Sequence, residues 1–156
     1  MEKVLQSLGS LNMGGAETMV VNVMSALDPE KIQFDFVIPG AEQGYYEPVV
    51  RALGAQVHHI PQFHRAFYRT IRQGGYKTVH IHTQNAFFTS LQVFAARRAG
   101  AQKIIVHSHN TMDWRGGAAL RLHKLCCGWL YRHADVRLAC GREAARWLFG
   151  TEDGVE

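Results

Sequence analysis

Val4-Leu5-Gln6-Ser7-Leu8-Gly9-Ser10-Leu11-Asn12-Met13-Gly14-Gly15-Ala16-Glu17 opens the chain, and Met19, Val20, Val23, Met24 and Leu27 follow at helical spacing. The apolar run before Gly9 suits a short buried strand, whereas the later residues recur every three or four positions and so share one helix face. Strand, glycine loop and helix in this order begin a unit whose parallel strands are joined by helical crossovers.

Working outward, the alternation continues. Phe34 to Ile38 reads as a strand closed by Pro39-Gly40, and Tyr46, Val49, Val50 and Leu53 as a helical stripe that Gly54 can end. Val57 to Ile60 is a third strand, followed by a basic aromatic helix from His64 to Gln73 that Gly74-Gly75 stops. Thr78 to His82 and Lys103 to His107 are the next strands, separated by a helix with Phe87, Leu91, Phe94 and Ala95 on one side. A helix from Gly117 to His133 carries Leu122, Leu125 and Trp129 on one face, Val136 to Cys140 is a last strand, and Arg142 to Phe149 a last helix. The expected fold is α/β: a Rossmann-like, three-layer domain with a mostly parallel sheet of about six strands and helices on both faces.

Composition narrows the class. The 156 residues are 47% hydrophobic and 19% charged, which suits one folded domain and excludes a disordered chain. A formal charge of +4 and nine histidines favour anionic partners such as phosphates or acidic lipid. No apolar run approaches a membrane span and the start lacks a secretory layout, so a cytoplasmic location is expected. Three cysteines, two of them adjacent at Cys126-Cys127, have neither a disulfide pattern nor zinc-ligand spacing and read as packing residues.

Ligands of open parallel sheets gather at the carboxyl ends of the strands, where the strand order reverses. Gly14 and Gly15 let a ligand approach the backbone at the start of the first helix, where free N–H groups and the helix dipole favour an anion, and Glu17 lies in the same turn. The spacing is neither G-x-G-x-x-G nor a Gly-Lys-Ser/Thr phosphate loop, which disfavours a nicotinamide dehydrogenase or a nucleoside triphosphatase. A tight turn with Glu17 complementing the dipole explains the same residues. His80 and His82, and likewise His107 and His109, stand two apart, so each pair shares a sheet face. His82 and His109 lie nearer the strand ends and are the better candidates for ligand contact, while His80 and His107 read as packing. Paired histidines could also hold a metal for hydrolysis, but that chemistry wants carboxylates beside them, and Asp113 is the one candidate. The loop Asn110 to Gly117 carries Arg115, which could neutralise an anion, and reads either as an acceptor pocket or as ordinary surface. On the basic helix, Phe63, Phe67 and Ile71 form a stripe that suits either the core or an anionic membrane surface; nucleic acid is not expected, because the aromatics follow a helix face.

Taken in order, Asn12-Met13-Gly14-Gly15-Ala16-Glu17, His80-Ile81-His82, His107-Ser108-His109-Asn110 and Ala134-Asp135-Val136-Arg137-Leu138-Ala139-Cys140-Gly141 resemble the N-terminal domain of glycosyltransferase family four, a two-domain GT-B family, particularly its bacterial capsular and exopolysaccharide enzymes. The resemblance implies retaining transfer of a sugar from a nucleotide-sugar donor, which is a substrate and not a cofactor, to a saccharide or lipid-linked acceptor without a bound catalytic metal. It implies that Gly14, Gly15 and Glu17 face the donor phosphates across a cleft, that His109 is the catalytic residue beside the transferring sugar, and that His82, His107, Asn110 and Arg115 line the acceptor side. Residues 1–150 would form the acceptor-side domain and 151–156 the start of a linker. The donor-binding domain with its E-x(7)-E motif would lie outside this sequence, leaving the chain inactive alone. A stand-alone phosphate- or saccharide-binding module and a metal-dependent hydrolase are the competing readings. Peripheral contact at the inner membrane face fits the first.

Overall fold

The computed structural model describes residues 1–61, 63–83, 85–109, 111 and 117–156, with the backbone alone at 63 and 64. Along the chain run β1 (Glu2–Ser7), α1 (Gly15–Ala26), β2 (Ile32–Pro39), α2 (Glu47–Ala52), β3 (Val57–Ile60), α3 (Phe63–Gly74), β4 (Thr78–Thr83), α4 (Ala86–Ala99), β5 (Lys103–Ser108), α5 (Gly117–His133), β6 (Val136–Ala139) and α6 (Arg142–Phe149). All six strands are parallel in the order β3-β2-β1-β4-β5-β6, so the expected Rossmann-like α/β fold is present. From β1 the chain winds to one side through β2 and β3, returns through α3, and continues on the other side. The order therefore reverses between β1 and β4, which puts the crevice at their carboxyl ends.

Alternation along the strands sorts the core into two layers. Val4, Phe34, Phe36 and Ile38 point to one face, where Val20 and Met24 of α1 and Val50 of α2 cover them. Leu5, Val37, Val79, Ile81, Ile104 and Val106 point to the other, beneath Phe67 and Ile71 of α3, Val93 and Ala96 of α4, Leu130 of α5 and Leu148 of α6. Phe67 and Ile71 of the α3 stripe are thus spent on the core, where both are fully buried. Asn85 caps α4 by accepting from the N–H groups of Phe87 and Phe88 at 2.9 and 3.3 Å, and Gly100 ends that helix in the left-handed conformation at φ 103°.

Two helices turn much of their large apolar surface away from the sheet. On α4 the inward residues are Ala86, Thr89, Gln92, Val93, Ala96 and Ala99, while Phe87 and Phe94 are exposed. On α5 they are His123, Cys126, Cys127 and Leu130, while Leu122 and Leu125 are exposed. The reason is space. Wedged between α3 and α5 over the sheet, α4 needs small side chains on its inner side, and the polar ones there are bonded: Gln92 Nε2 donates to Ser7 Oγ at 2.9 Å, and Thr89 pairs with Thr83. At the chain's far end, Glu156 N donates to Arg137 O and Ala139 N to Glu156 O, both at 2.9 Å, so residues 155–156 run along the edge of β6.

Candidate functional site

A cleft of about 790 Å³ opens at the carboxyl ends of β1, β4 and β5, with Gly14, Gly15 and Glu17 on one side and His82, His107 and His109 on the other. Each wall follows from the chain locally. The loop before α1 is clamped from outside: Tyr46 N donates to Leu11 O at 2.7 Å and Tyr45 N to Asn12 Oδ1 at 3.2 Å. Gly44 makes this approach possible, because a Cβ there would lie 2.6 Å from the Leu11 carbonyl carbon. Gly44→Ala is accordingly expected to lower stability by about 1–3 kcal/mol through backbone displacement, measured by equilibrium denaturation. An unchanged midpoint would mean that the clamp is slack.

Gly14 precedes α1 in an extended conformation and supplies no side-chain cap; its carbonyl accepts the first helical bond, from Thr18 N at 2.9 Å. The carboxylate of Glu17 folds back over Gly14, where a Cβ would collide with it, and takes a bond from Ser10 Oγ at 3.3 Å. Gly15 borders open space instead. Glu17 therefore already places a negative charge at the positive end of α1, and an entering phosphate competes with it.

The opposite wall is built of imidazoles. His82 and His107 are direct register partners on β4 and β5, and His80 stands one pleat behind on the same face. Nδ1 of His82 lies 2.8 Å from Nε2 of His109, and Nε2 of His82 lies 2.9 Å from Oε1 of Gln6 on β1. An amide oxygen only accepts, so Nε2 of His82 carries the hydrogen and its Nδ1 is a lone pair. That lone pair takes the Nε2 hydrogen of His109, which leaves Nδ1 of a neutral His109 as an acceptor. The rings pack closely but tilted, with centroids 4.0 Å apart at 31° for His107 and His109 and 4.1 Å at 35° for His80 and His82.

Burial keeps this wall uncharged. Desolvation, reinforced by His107 and His109, pushes His80 down to about 3, and desolvation with His109 pushes His107 to about 4. His82 is held well below its usual value by burial and by its three histidine neighbours. His109 is lowered by burial, with Glu17 across the cleft opposing the shift. At neutral pH the cluster presents polar, neutral groups. Among the described residues, Nε2 of His80 and Nδ1 of His107 are buried without a hydrogen-bond partner.

One ring nitrogen from each of His80, His82 and His107 lies within 4.8 Å of the others, so these three could hold a divalent ion of the zinc type. Doing so costs His82 its bond to Gln6 or to His109, and no carboxylate belongs to the group among the described residues.

Of the residues singled out in the sequence, Gly14, Gly15, Glu17, His82, His107 and His109 meet in the cleft, and His80 stands behind them. Asn110, Arg115 and Asp113 lie outside the described residues. Two participants had been missed. Gln6 is 1% exposed and orients His82. Cys140, unlike the buried Cys126 and Cys127, is not the packing residue expected: it lies past the end of β6, where the sheet no longer covers it, and is exposed at the rim with Sγ donating to His109 O at 3.2 Å. A glutamine set between the apolar Val4-Leu5 and Leu8, in the strand at the switch point, was the available signal for Gln6.

A helix start facing a neutral, hydrogen-bonding wall at the switch point of a Rossmann-like sheet defines an α/β domain with a polar cleft at the carboxyl ends of its strands. The family is specific: the chain belongs to glycosyltransferase family 4, whose model (Glycosyltransferase Family 4) matches residues 13–151. It is also 32% identical over 163 residues to a protein of Bacillus subtilis (strain 168) named "Putative glycosyltransferase EpsF", an alignment covering 96% of this chain and 41% of that protein. The chain therefore spans about two fifths of the length of this relative.

Proposed function

We propose that this chain is the acceptor-side half of a retaining glycosyltransferase that moves a sugar from a nucleotide-sugar donor to a saccharide or lipid-linked acceptor in bacterial exopolysaccharide synthesis, on the cytoplasmic side of the membrane. The observation that carries the reading is the cleft itself, in which an anion-favouring glycine turn faces the His82–His109 pair across about 790 Å³ of open space. Gly14 and Gly15 admit the donor diphosphate to the start of α1, with Glu17 swinging off the helix end as it arrives. His109 hydrogen-bonds the transferring sugar or steadies charge on it, and His82 and His107, with Asn110 and Arg115, receive the acceptor. Catalysis needs no metal and no cofactor. The nucleotide-binding groups come from a second, donor-binding domain whose closure completes the site. Among the described residues no helix is long and apolar enough to cross a membrane.

The test joins the chain to the part of the Bacillus relative that it does not match and assays transfer from a panel of nucleotide sugars, with and without a chelator. Transfer by the joined protein, insensitive to chelator and lost from the chain alone, is the expected result. Inactivity toward every donor and acceptor, or activity that collapses on chelation, would defeat the reading.

A further inference from the structure

Three imidazoles of the cleft wall carry more polar capacity than the protein uses. His80 and His82 stand two apart on β4 and so share a face of the sheet, and His107 of β5 is the register partner of His82 on that face. One ring nitrogen from each lies within 4.8 Å of the other two. Nε2 of His80 and Nδ1 of His107 are buried with no hydrogen-bond partner among the described residues, a condition that buried polar atoms rarely keep. Apolar side chains would serve packing better, as Val79, Ile81 and Val106 do on the opposite face of the same two strands.

The donor set identifies the ligand. Imidazole nitrogens without a carboxylate suit zinc, nickel or copper, whereas magnesium and calcium require oxygens. Zinc held by three histidines is tetrahedral, and its fourth position is left to water or an entering molecule. Bonds of about 2.0–2.1 Å around such an ion set the ligand nitrogens roughly 3.4 Å apart. Nitrogens already within 4.8 Å reach that spacing by small turns of their rings. His82 is the ligand that must change partners. Its Nε2 donates to Gln6 Oε1 at 2.9 Å, the kind of outer bond that fixes the orientation of metal-bound histidines, so Nδ1 is the nitrogen that can turn to an ion while Gln6 stays in place. That same nitrogen otherwise accepts from His109 at 2.8 Å.

We propose that His80, His82 and His107 form a binding site for a divalent ion of the zinc class, and that filling it switches the cleft off by drawing Nδ1 of His82 away from His109. The site is inhibitory and takes no part in catalysis. Once filled, it breaks the hydrogen-bonded line from Gln6 through His82 to His109 and engages two side chains of the cleft wall, His82 and His107. The inhibitory role rests on the sugar-transfer reading above; the binding of the ion does not.

Isothermal titration of the metal-stripped chain with zinc chloride, and separately with magnesium chloride, tests the site. One zinc ion per chain is expected to bind, and magnesium not at all. Cobalt in place of zinc should show the visible absorption of a four-coordinate ion. His80→Gln and His107→Gln should each weaken zinc binding at least about tenfold. His133→Gln, which removes an exposed histidine of α5, should leave it unchanged and serves as the matched control. Circular dichroism establishes that each variant is folded, and because two ligand variants are read, failure of one to fold does not spare the proposal. In the joined two-domain protein, saturating zinc should abolish transfer and a chelator restore it, while His80→Gln should transfer normally and lose the sensitivity to zinc. Three results would overturn the proposal: no zinc uptake beyond that of magnesium, equal loss from His133→Gln and His80→Gln, or inhibition by zinc that His80→Gln retains. The titration uses the chain alone, so a joined protein inactive toward every donor would defeat the sugar-transfer reading and not the site.

Discussion

Replacing His109 with alanine in the joined, two-domain protein is expected to lower kcat by about 100-fold or more while KM for the donor moves little. That magnitude is usual for removing a group that exchanges a proton with the reacting atoms or stabilises their charge in a site shielded from water. The assignment depends on where His109 stands: at the cleft, with one nitrogen committed to His82 and the other given no hydrogen bond among the described residues. Loss of the His82 bond alone would cost roughly 1 kcal/mol of stability, far less than the expected kinetic effect, so denaturation of the variant separates the two. A variant that keeps wild-type kcat would remove His109 from the chemistry, and a rise confined to KM would make it a binding residue.

Stability is expected to fall steeply as the solution is acidified, and His80 should be a principal cause. In the unfolded chain its imidazole titrates near the ordinary value of about 6.5. In the folded chain burial and the neighbouring rings hold it down to about 3. The unfolded state therefore takes up a proton that the folded state refuses, and the contribution of His80, fully present above about pH 6.5, drains away as the pH falls toward its folded value. Between pH 7.5 and 5 this amounts to about 2 kcal/mol from His80 alone. His107, pushed to about 4, acts in the same direction. Denaturation midpoints of wild type and His80→Leu at the two pH values provide the measurement. The variant should lose markedly less stability than wild type on acidification, since it no longer has an imidazole to protonate. Equal losses in the two proteins would mean that His80 is protonated in the native state.

How much of this was legible in the chain differs by level. Strand order cannot be read from one strand, yet the alternation of short apolar runs with helical stripes, punctuated by Gly9, Pro39-Gly40, Gly54, Gly74-Gly75 and Gly100, defined the elements closely enough for a parallel sheet to follow. Which face of α4 and α5 turns inward was not legible, because hydrophobic size is not the sign of burial there. Over a sheet and between two neighbours, Ala96 and Ala99 are the better core residues, and Phe94 has nowhere to go but out. In the cleft, strand periodicity identified His82 and His109, because residues two apart share a face. Their link to Gln6 was hidden, since it requires knowing that β1 lies next to β4, some seventy residues away along the chain. The clamp of Gly44 on Leu11 was invisible for the same reason.

The Gln6 amide, near the carboxyl end of β1 but behind the cleft lining, has a consequence for what the cleft selects. By accepting from His82 it sets the polarity of the whole hydrogen-bonded line, so that the last ring offers a lone pair to an arriving molecule. A hydroxyl can satisfy that nitrogen and a carbonyl cannot. Discrimination between an alcohol and a ketone at the cleft wall is in this way decided two residues inward, by the orientation of a side chain that is 1% exposed.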